Sequence, residues 1–473
     1  MSSLRINILN EKEIQRIVPV SLVLAGLLAF SQQYIIYACA VLLIIFLAVI
    51  FGERFVYGFV IVTLFTLVGE LGRSLRLIIQ VTDFSLLAYL FLKRFGLQIN
   101  LYPRIPKSLF YFLLLYYFSM IVSVLMSDYP LPGVILVARQ TLFFLIAYVF
   151  YALIRDMKDI KVYLAAFIVA ACILAASSIF TLISESSSLL NLAVGSRERI
   201  VGFISNPNNI TNFYMVSFPL VLGMLLMKRS TFSNTISFLL ILYLSLALFI
   251  TLSRSAILGV VAGTAVMLFI LRRKYFYFLV ISLSILVVIF IFFEPLGNLA
   301  SVLFRVGRGV TGRDYLWGIS LDIIKENPIF GLGPGAYKYE MFKYFPVMLN
   351  SWVGGMFVEL YEMTNGANLS HNFFLFFFSE MGIFGLITAL ALPVIFFMIG
   401  IRTIIAYKNG MVYQYYLIVS LFSIGAAMFV RSMAESIGLL YYGAITADLP
   451  FWIMFGCLIY FYNQNSSNLL RKI

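Results

Sequence analysis

Runs of about twenty apolar residues recur along this chain, and they constrain its fold more than any other feature. A helix of that length crosses the hydrocarbon core of a bilayer. In lipid the backbone must satisfy its own hydrogen bonds, so the runs predict helices, and their lack of alternation disfavours a β-barrel. Hydrophobic residues make up 62% of the chain and charged residues only 11%, which excludes an ordinary soluble protein. We therefore expect an all-α integral membrane protein.

The runs predict roughly twelve to fourteen transmembrane helices. The number stays open because the first run is short and because 55–92 also fits one re-entrant pair. The predicted spans are 17–30, 34–51, 55–72, 75–92, 108–126, 132–154, 160–184, 208–227, 234–252, 255–271, 275–293, 372–402, 411–430 and 440–462.

The positions of the lysines and arginines predict the orientation of these helices. With the N-terminus inside, about twenty of the 33 fall on the inner side. We therefore expect both termini in the cytoplasm, with the basic N-terminus kept as a tail because no small-residue cleavage site follows the first run. The predicted domains are an N-terminal transmembrane bundle (1–293), an extracytoplasmic loop with short helices (294–371) and C-terminal transmembrane helices (372–473).

The long outer loop carries structural signals of its own. A helix is predicted to begin near Arg313 and to end at Asn327, ahead of Pro328, because apolar residues recur there at helical spacing. This stripe consists of Leu316, Ile319, Ile323 and Ile324. The glycines between 331 and 335 predict a tight turn. Amphipathic segments at 337–348 and 352–363 are expected to lie on the membrane or to cap a cavity.

The chain has one histidine, His371, at the point where the loop returns to the membrane. Imidazole titrates near neutral pH and can take a proton from a hydroxyl, although a lone histidine is more often structural. Glu380 follows within the next span, where a carboxylate is a functional candidate and pairing with a cation is the simpler interpretation. Weaker candidates of the same kind are Asp83, Arg139, Arg431 and Glu435.

Arginines are also expected on the outer face, where positive charge in short loops is unusual. They include Arg197, Arg199 and Arg254. Guanidinium groups suit phosphate because they stay charged and present planar pairs of donors. Arg254 lies between two spans with almost no linker, so it must sit at the membrane boundary, where it could equally snorkel to lipid headgroups. Topology alone leaves both interpretations open.

Several site classes are not expected. The sequence has no phosphate-binding P-loop, paired-histidine metal motif or nucleophile elbow. The three dispersed cysteines, Cys39, Cys172 and Cys457, are interpreted as small core residues, and neither a metal nor a cofactor is predicted. The net charge of +13 is spread over short loops, so topology explains it better than a nucleic-acid partner does.

Several short stretches together resemble the O-antigen ligase and polymerase superfamily of bacterial envelope glycosyltransferases. They are Arg199-x-x-Gly202 with Asn206-Pro207-Asn208, Ser253-Arg254-Ser255, Gly312-Arg313 with Trp317, Asn327 to Gly335, His371-Asn372, and Glu380 to Leu386. The resemblance covers about 195–390, while the first half of the chain agrees only in hydropathy. Each piece is short, and their order, spacing and placement around one outer loop carry the resemblance.

The resemblance implies a C-type glycosyltransferase architecture with no nucleotide sugar and no required metal. The donor in such enzymes is a glycan on undecaprenyl pyrophosphate. The acceptor is lipid A–core in ligases and another lipid-linked repeat unit in polymerases, and a chain-length regulator is a further candidate partner. The implied location is the bacterial cytoplasmic (inner) membrane, in contact with its lipid, with the active site on the periplasmic face.

The resemblance also implies residue roles. Arg199 and Arg254 would bind the donor pyrophosphate, with Arg197 as a substitute for Arg199, and His371 would activate the acceptor hydroxyl. Fixed guanidinium groups stabilise the charge that develops on the leaving pyrophosphate. The candidates for acceptor contacts or supports are Arg313, Glu380 and Asn372.

We therefore expect an O-antigen or surface-polysaccharide polymerase, with an O-antigen ligase as the alternative in the same superfamily. A lipid-linked glycan transporter or flippase would also use many helices and intramembrane charges. Transporters usually show paired halves with interrupted helices, and no such symmetry is visible in this sequence. A non-catalytic envelope scaffold is the third class.

Overall fold

The computed structural model describes residues 52–66, 73–96, 98–184, 207–227, 230–292, 313–344 and 370–470. Its α-helices are α1 (Glu53–Thr66), α2 (Arg73–Phe95), α3 (Lys107–Leu125), α4 (Pro130–Leu153), α5 (Met157–Ser184), α6 (Pro207–Leu226), α7 (Thr231–Ile250), α8 (Arg254–Leu271), α9 (Arg273–Phe292), α10 (Arg313–Glu326), α11 (Tyr337–Glu340), α12 (Phe373–Tyr407), α13 (Val412–Ser432) and α14 (Ile445–Leu470). Short 3-10 helices lie at Ile99–Leu101 and Met341–Tyr344. None of these described residues lies in a strand.

Ten helices in the described ranges are long and apolar enough to cross a membrane. They are α3 to α9 and α12 to α14. This confirms the all-α integral membrane class. The predicted spans 17–30 and 34–51 lie outside the described residues, so the total of roughly twelve to fourteen spans stays a prediction.

The chain divides into two compact units. Within the described residues, the first comprises 52–103 and 152–174, which include α1, α2 and the first part of α5. Inside it, Arg54 pairs with Asp156 and Asp159 at 2.9 Å each. These ion pairs tie the beginning of α1 to the beginning of α5 at a partly exposed surface.

The second unit contains the rest of the described chain, including α3, most of α4, and α6 to α14. Within it, α8 and α13 approach each other closely. A β-carbon on Gly259 would lie 2.7 Å from the carbonyl oxygen of Ala427, and one on Gly263 would lie 2.8 Å from that of Ser423. Because the paired numbers run in opposite directions, the two helices are antiparallel. The beginning of α8 and the end of α13 therefore lie at the same end of this unit.

The outer-loop helix and turn form as their sequence predicts. Helix α10 ends at Glu326, and its apolar stripe of Leu316, Ile319, Ile323 and Ile324 is buried. In the turn that follows, Gly331, Gly333 and Gly335 all have positive φ. Segment 337–348 begins as α11 and a 3-10 helix, and its end lies outside the described residues together with 352–363. The predicted division into 1–293, 294–371 and 372–473 stays a prediction.

The turn docks against a break in α12. At Gly382 the backbone leaves the helical region (φ 60°, ψ −153°), which only glycine adopts readily. Leu332 and Gly333 donate backbone hydrogen bonds to Ser379 and Glu380 at 3.0 and 2.8 Å, and a β-carbon on Gly382 would lie 2.1 Å from the carbonyl oxygen of Ile329. The glycines therefore allow two backbones to meet directly, which fixes the end of α10 against α12.

Candidate functional site

A buried carboxylate, Glu435, forms the centre of a polar cluster between α13 and α14. Its Oε1 lies 2.8 Å from Nδ1 of His371. Its Oε2 accepts a hydrogen bond from the amide of Asn208 at 2.8 Å and pairs with Nη2 of Arg313 at 3.3 Å. The side chain of Glu435 is 0% exposed, whereas that of His371 is 31% exposed. A buried acid thus holds an imidazole that remains accessible.

The electrostatics of Glu435 determine which nitrogen of His371 carries the proton. Burial acts to raise the pKa of Glu435, but the neighbouring His371, Arg431 and Arg313 outweigh burial and lower this pKa to about 2. An ionised carboxylate can only accept, so Nδ1 of His371 donates. In the neutral imidazole, Nε2 is then left with a lone pair that can accept a proton.

Local backbone structure sets the orientation of the His371 side chain. Its φ of 49° lies in the left-handed region, which non-glycine residues seldom adopt and which often marks functional sites. On one side, the hydroxyls of Ser370 and Ser436 are 3.2 Å apart. On the other side, Asn372 caps α12 through its Oδ1, and its amide donates to the carbonyl of Met433 at 2.9 Å. The residues flanking His371 are therefore tied to the segment that carries Glu435.

Arg254 begins α8 at the same end of the second unit. The residue before it, Ser253, donates from its hydroxyl to Oδ1 of Asn208 at 3.4 Å. Among the described contacts, Ser253 makes no side-chain capping bond to its own helix. Asn208 in turn contacts Glu435, so a continuous set of hydrogen bonds joins the beginning of α8 to His371.

A second arginine, Arg431, is buried near Glu435 in the last turn of α13. One of its terminal nitrogens donates to the side chain of Asn212 and the other donates to the carbonyl of Asn208 at 2.7 Å. Both acceptors are neutral, so Arg431 brings positive charge into the cluster. Together with Arg313, it places two guanidinium groups around one carboxylate.

Residues 238–390 match the family model described as O-Antigen ligase. The matched segment is about a third of the chain, and it supports the resemblance to the O-antigen ligase and polymerase superfamily. No curated protein matches the sequence. The match supports a glycosyltransferase-like enzyme that acts in general on a lipid-linked glycan and an acceptor, and together with the apolar helices it supports a multi-pass membrane protein.

The matched segment 238–390 includes Arg254, Arg313 and His371, whereas Asn208 and Glu435 lie outside it. The cluster therefore also includes residues from α6, which precedes the matched segment in the sequence, and from the segment after α13, which follows it. Arg197 and Arg199, the sequence candidates for the donor, lie outside the described residues.

Glu380, also within the matched segment, occupies a different environment. Its carboxylate accepts from the backbone nitrogens of Gly335 and Tyr337 at 2.9 and 3.2 Å and from the hydroxyl of Tyr442. Each of these partners belongs to the outer-loop turn, to α11 or to the segment after α13. The described contacts of Glu380 therefore support the loop.

Of the four weaker sequence candidates, Arg431 and Glu435 lie in the cluster, whereas Arg139 and Asp83 make other contacts. Arg139 donates to the carbonyl of Gly443 at 3.3 Å, and Asp83 accepts from Thr63 at 2.9 Å within the first unit. Within the described ranges, no group of three or more His, Cys, Asp or Glu side chains could hold a metal ion.

Sequence reasoning underrated Glu435 and gave Asn208 no role of its own. The available signal was a charged pair, Arg431 and Glu435, spaced four residues apart in apolar surroundings. In the sequence, Asn208 was noted only as part of the Asn-Pro-Asn motif at the beginning of a predicted span.

Proposed function

We propose that this protein is a glycosyltransferase that transfers a glycan from undecaprenyl pyrophosphate to an acceptor sugar at the outer face of the cytoplasmic membrane, as an O-antigen or surface-polysaccharide polymerase. The observation that carries the proposal is the 2.8 Å contact between Nδ1 of His371 and Oε1 of Glu435. This contact makes Nε2 the proton acceptor, at the end of the unit where α8 presents Arg254. A base beside arginines suits attack by a hydroxyl on a phosphate-activated sugar.

In the proposed step, Nε2 of His371 takes the proton of the acceptor hydroxyl. The acceptor oxygen forms a bond to the anomeric carbon of the donor glycan, and the bond from that carbon to the pyrophosphate oxygen breaks. Undecaprenyl pyrophosphate leaves with the electron pair. The imidazolium that results faces the ionised Glu435, which stabilises it as charge develops.

The donor side of the proposal rests on Arg254. A guanidinium at the first position of a helix adds its charge to the partial positive charge of the helix N-terminus, and both favour an anion. The hydroxyl of Ser253, which in other helices would cap that terminus, is directed to Asn208 instead. We propose that Arg254 binds the leaving pyrophosphate and that Arg199 or Arg197 is its second ligand. Arg313 and Asn372 would support the acceptor side.

The second candidate is an O-antigen ligase that joins the glycan to lipid A–core. The matched family model is described as O-Antigen ligase, but the match does not distinguish a ligase from a polymerase. Polymerase and ligase would use the same base and the same arginines, so they differ only in the acceptor.

The test is a transfer assay with the purified full chain in proteoliposomes, supplied with an undecaprenyl-pyrophosphate-linked repeat unit with or without lipid A–core. Mass spectrometry of the reducing end identifies the product. We expect His371→Ala and Arg254→Ala to abolish transfer while the protein still inserts. The matched control is Lys325→Ala, which removes an exposed cation of α10 whose ion pair among the described residues is with Asp322 at 2.7 Å, and it should keep the wild-type rate.

Each outcome decides between the candidates. A longer pyrophosphate-linked chain supports the polymerase, and glycan on lipid A–core supports the ligase. Movement of the lipid-linked glycan across the membrane without a covalent product would replace both with a transporter. Wild-type transfer in both His371→Ala and Arg254→Ala would overturn the site.

A further inference from the structure

Asn208, in the first turn of α6, connects three parts of the second unit. Its side-chain nitrogen donates to Oε2 of Glu435 at 2.8 Å, and its side-chain oxygen accepts from Ser253 at 3.4 Å. Its backbone carbonyl accepts from Nη2 of Arg431 at 2.7 Å. The side chain is buried, so these contacts form away from bulk solvent.

The two ends of the Asn208 side chain lead to different halves of the proposed reaction. The nitrogen holds the carboxylate that orients His371. The oxygen holds Ser253, the residue immediately before Arg254. One short amide therefore connects the carboxylate that contacts the proposed base with the helix end proposed to bind the leaving pyrophosphate.

Only an amide of this length satisfies both neighbours at once. Asparagine presents a donor and an acceptor on one planar group. Aspartate would place a second carboxylate against Oε2 of Glu435, where like charges repel. Alanine would leave a buried carboxylate oxygen without one of its donors, which matters because buried polar groups depend on such partners.

The backbone around Asn208 is itself fixed. Arg431 holds its carbonyl, and one turn further along α6 the amide of Asn212 donates to the carbonyl of Ala447 at 3.0 Å. A side chain on such a support can hold a geometry to a fraction of an ångström, which is what orientation of a general base requires.

We propose that Asn208 is a positioning residue that fixes Glu435 and Ser253 relative to each other. It thereby sets the position of the His371 base relative to the beginning of α8, where Arg254 lies. The role in catalysis rests on the proposed function. The placement of Glu435 and of the imidazole does not, and it can be measured without any substrate.

The first measurement uses the fact that the chain has one histidine. Isotope-labelled histidine in the full chain, in lipid nanodiscs at a pH where the imidazole is neutral, gives one pair of nitrogen signals that reports the tautomer of His371. We expect the Nδ1–H tautomer to dominate in the wild type. Asn208→Ala and the near-isosteric Asn208→Asp should each lose part of that population to the Nε2–H tautomer. Asn209→Ala, a change at the next residue, should resemble the wild type.

The second measurement is kinetic, in the transfer assay. We expect Asn208→Ala to lower kcat by about 10- to 100-fold, with both KM values within about twofold of wild type. In a Glu435→Gln background the same substitution should cost less than about threefold, because the partner it positions is already lost. A merely structural role would give effects that multiply, since the two substitutions would then act independently.

The outcomes separate this proposal from the proposed function. An unchanged tautomer in both folded Asn208 variants, or multiplying kinetic effects, would overturn the positioning role even if the wild type transfers glycan. A wild type that transfers no glycan, with the tautomer shifted in the Asn208 variants, would overturn the proposed function and leave the positioning of the imidazole supported.

Discussion

Glu435 and Glu380 are both buried in the second unit, yet their partners differ in kind. Glu435 contacts an imidazole, a guanidinium and an amide, all of them side chains. Glu380 contacts two backbone N–H groups and a tyrosine hydroxyl. The difference separates a carboxylate beside a titratable group, which can assist proton transfer, from a carboxylate that replaces missing backbone partners in a turn.

The largest expected effect is on transfer activity. Glu435→Gln keeps the size of the side chain but removes the charge that fixes Nδ1 of His371 as a donor and stabilises the imidazolium. We expect a loss of about 10²- to 10⁴-fold in rate, in line with acid-to-amide changes in other acid–histidine pairs. Glu380→Gln should lose less than about tenfold. Initial rates per folded molecule, with folding checked by size-exclusion chromatography, test the difference, and equal losses would contradict the comparison.

The next effect is a loss of stability, which should follow substitution of the other carboxylate, Glu380. Glu380→Ala leaves the N–H groups of Gly335 and Tyr337 and the hydroxyl of Tyr442 without their acceptor. An unsatisfied buried donor costs about 1–3 kcal/mol, so the free energy of unfolding should fall by at least that amount. Denaturant titration in detergent measures it. A Glu380→Ala variant as stable as the wild type would show that the turn is held by other contacts.

A further effect on stability should follow at the backbone of the same anchor. Gly382→Ala introduces a β-carbon 2.1 Å from the carbonyl oxygen of Ile329, at a backbone conformation that L-residues avoid. We expect a lower melting temperature and a looser outer-loop turn, seen as faster proteolysis. The control is Gly318→Ala in α10, where a β-carbon meets nothing within 4 Å, so that helix propensity should give a gain of up to about 1 kcal/mol.

The last expected effect is on the pH dependence of stability. The pKa of Glu435 is lowered to about 2 in the folded protein, against about 4.3 for an unperturbed glutamate. Its stabilising contribution is therefore fully present above about pH 4.3 and is lost as the pH falls towards 2. The advantage of wild type over Glu435→Gln in melting temperature should therefore shrink as the pH falls from about 4.3 towards 2. A difference that already shrinks near neutrality would contradict the lowered pKa.

Much of the fold follows from local sequence. The span predicted at 255–271 corresponds to α8, Arg254–Leu271, because run length and hydropathy suffice to define a membrane helix. The helix predicted after Arg313 forms with its stripe buried, because helical periodicity marks the packed face. Both signals lie within one continuous segment.

The centre of the site could not be predicted in the same way. His371 and Glu435 are 64 residues apart, and Asn208 and Glu435 are 227 apart, so no local pattern connects them. The antiparallel packing of α8 against α13 brings these segments to one end of the unit. The sequence favoured Glu380 over Glu435 because Glu380 lies within a predicted span, although its contacts are with the loop.

The left-handed backbone at His371 has a consequence for heat resistance. Such a conformation stores about 1–3 kcal/mol of strain and persists only while its neighbours hold it. Among the described residues, the restraints include the hydroxyl contact between Ser370 and Ser436 and the cap made by Asn372. Warming should release these few bonds before the bundle melts, so thermal inactivation of the enzyme should precede the loss of helical circular dichroism and reverse on cooling.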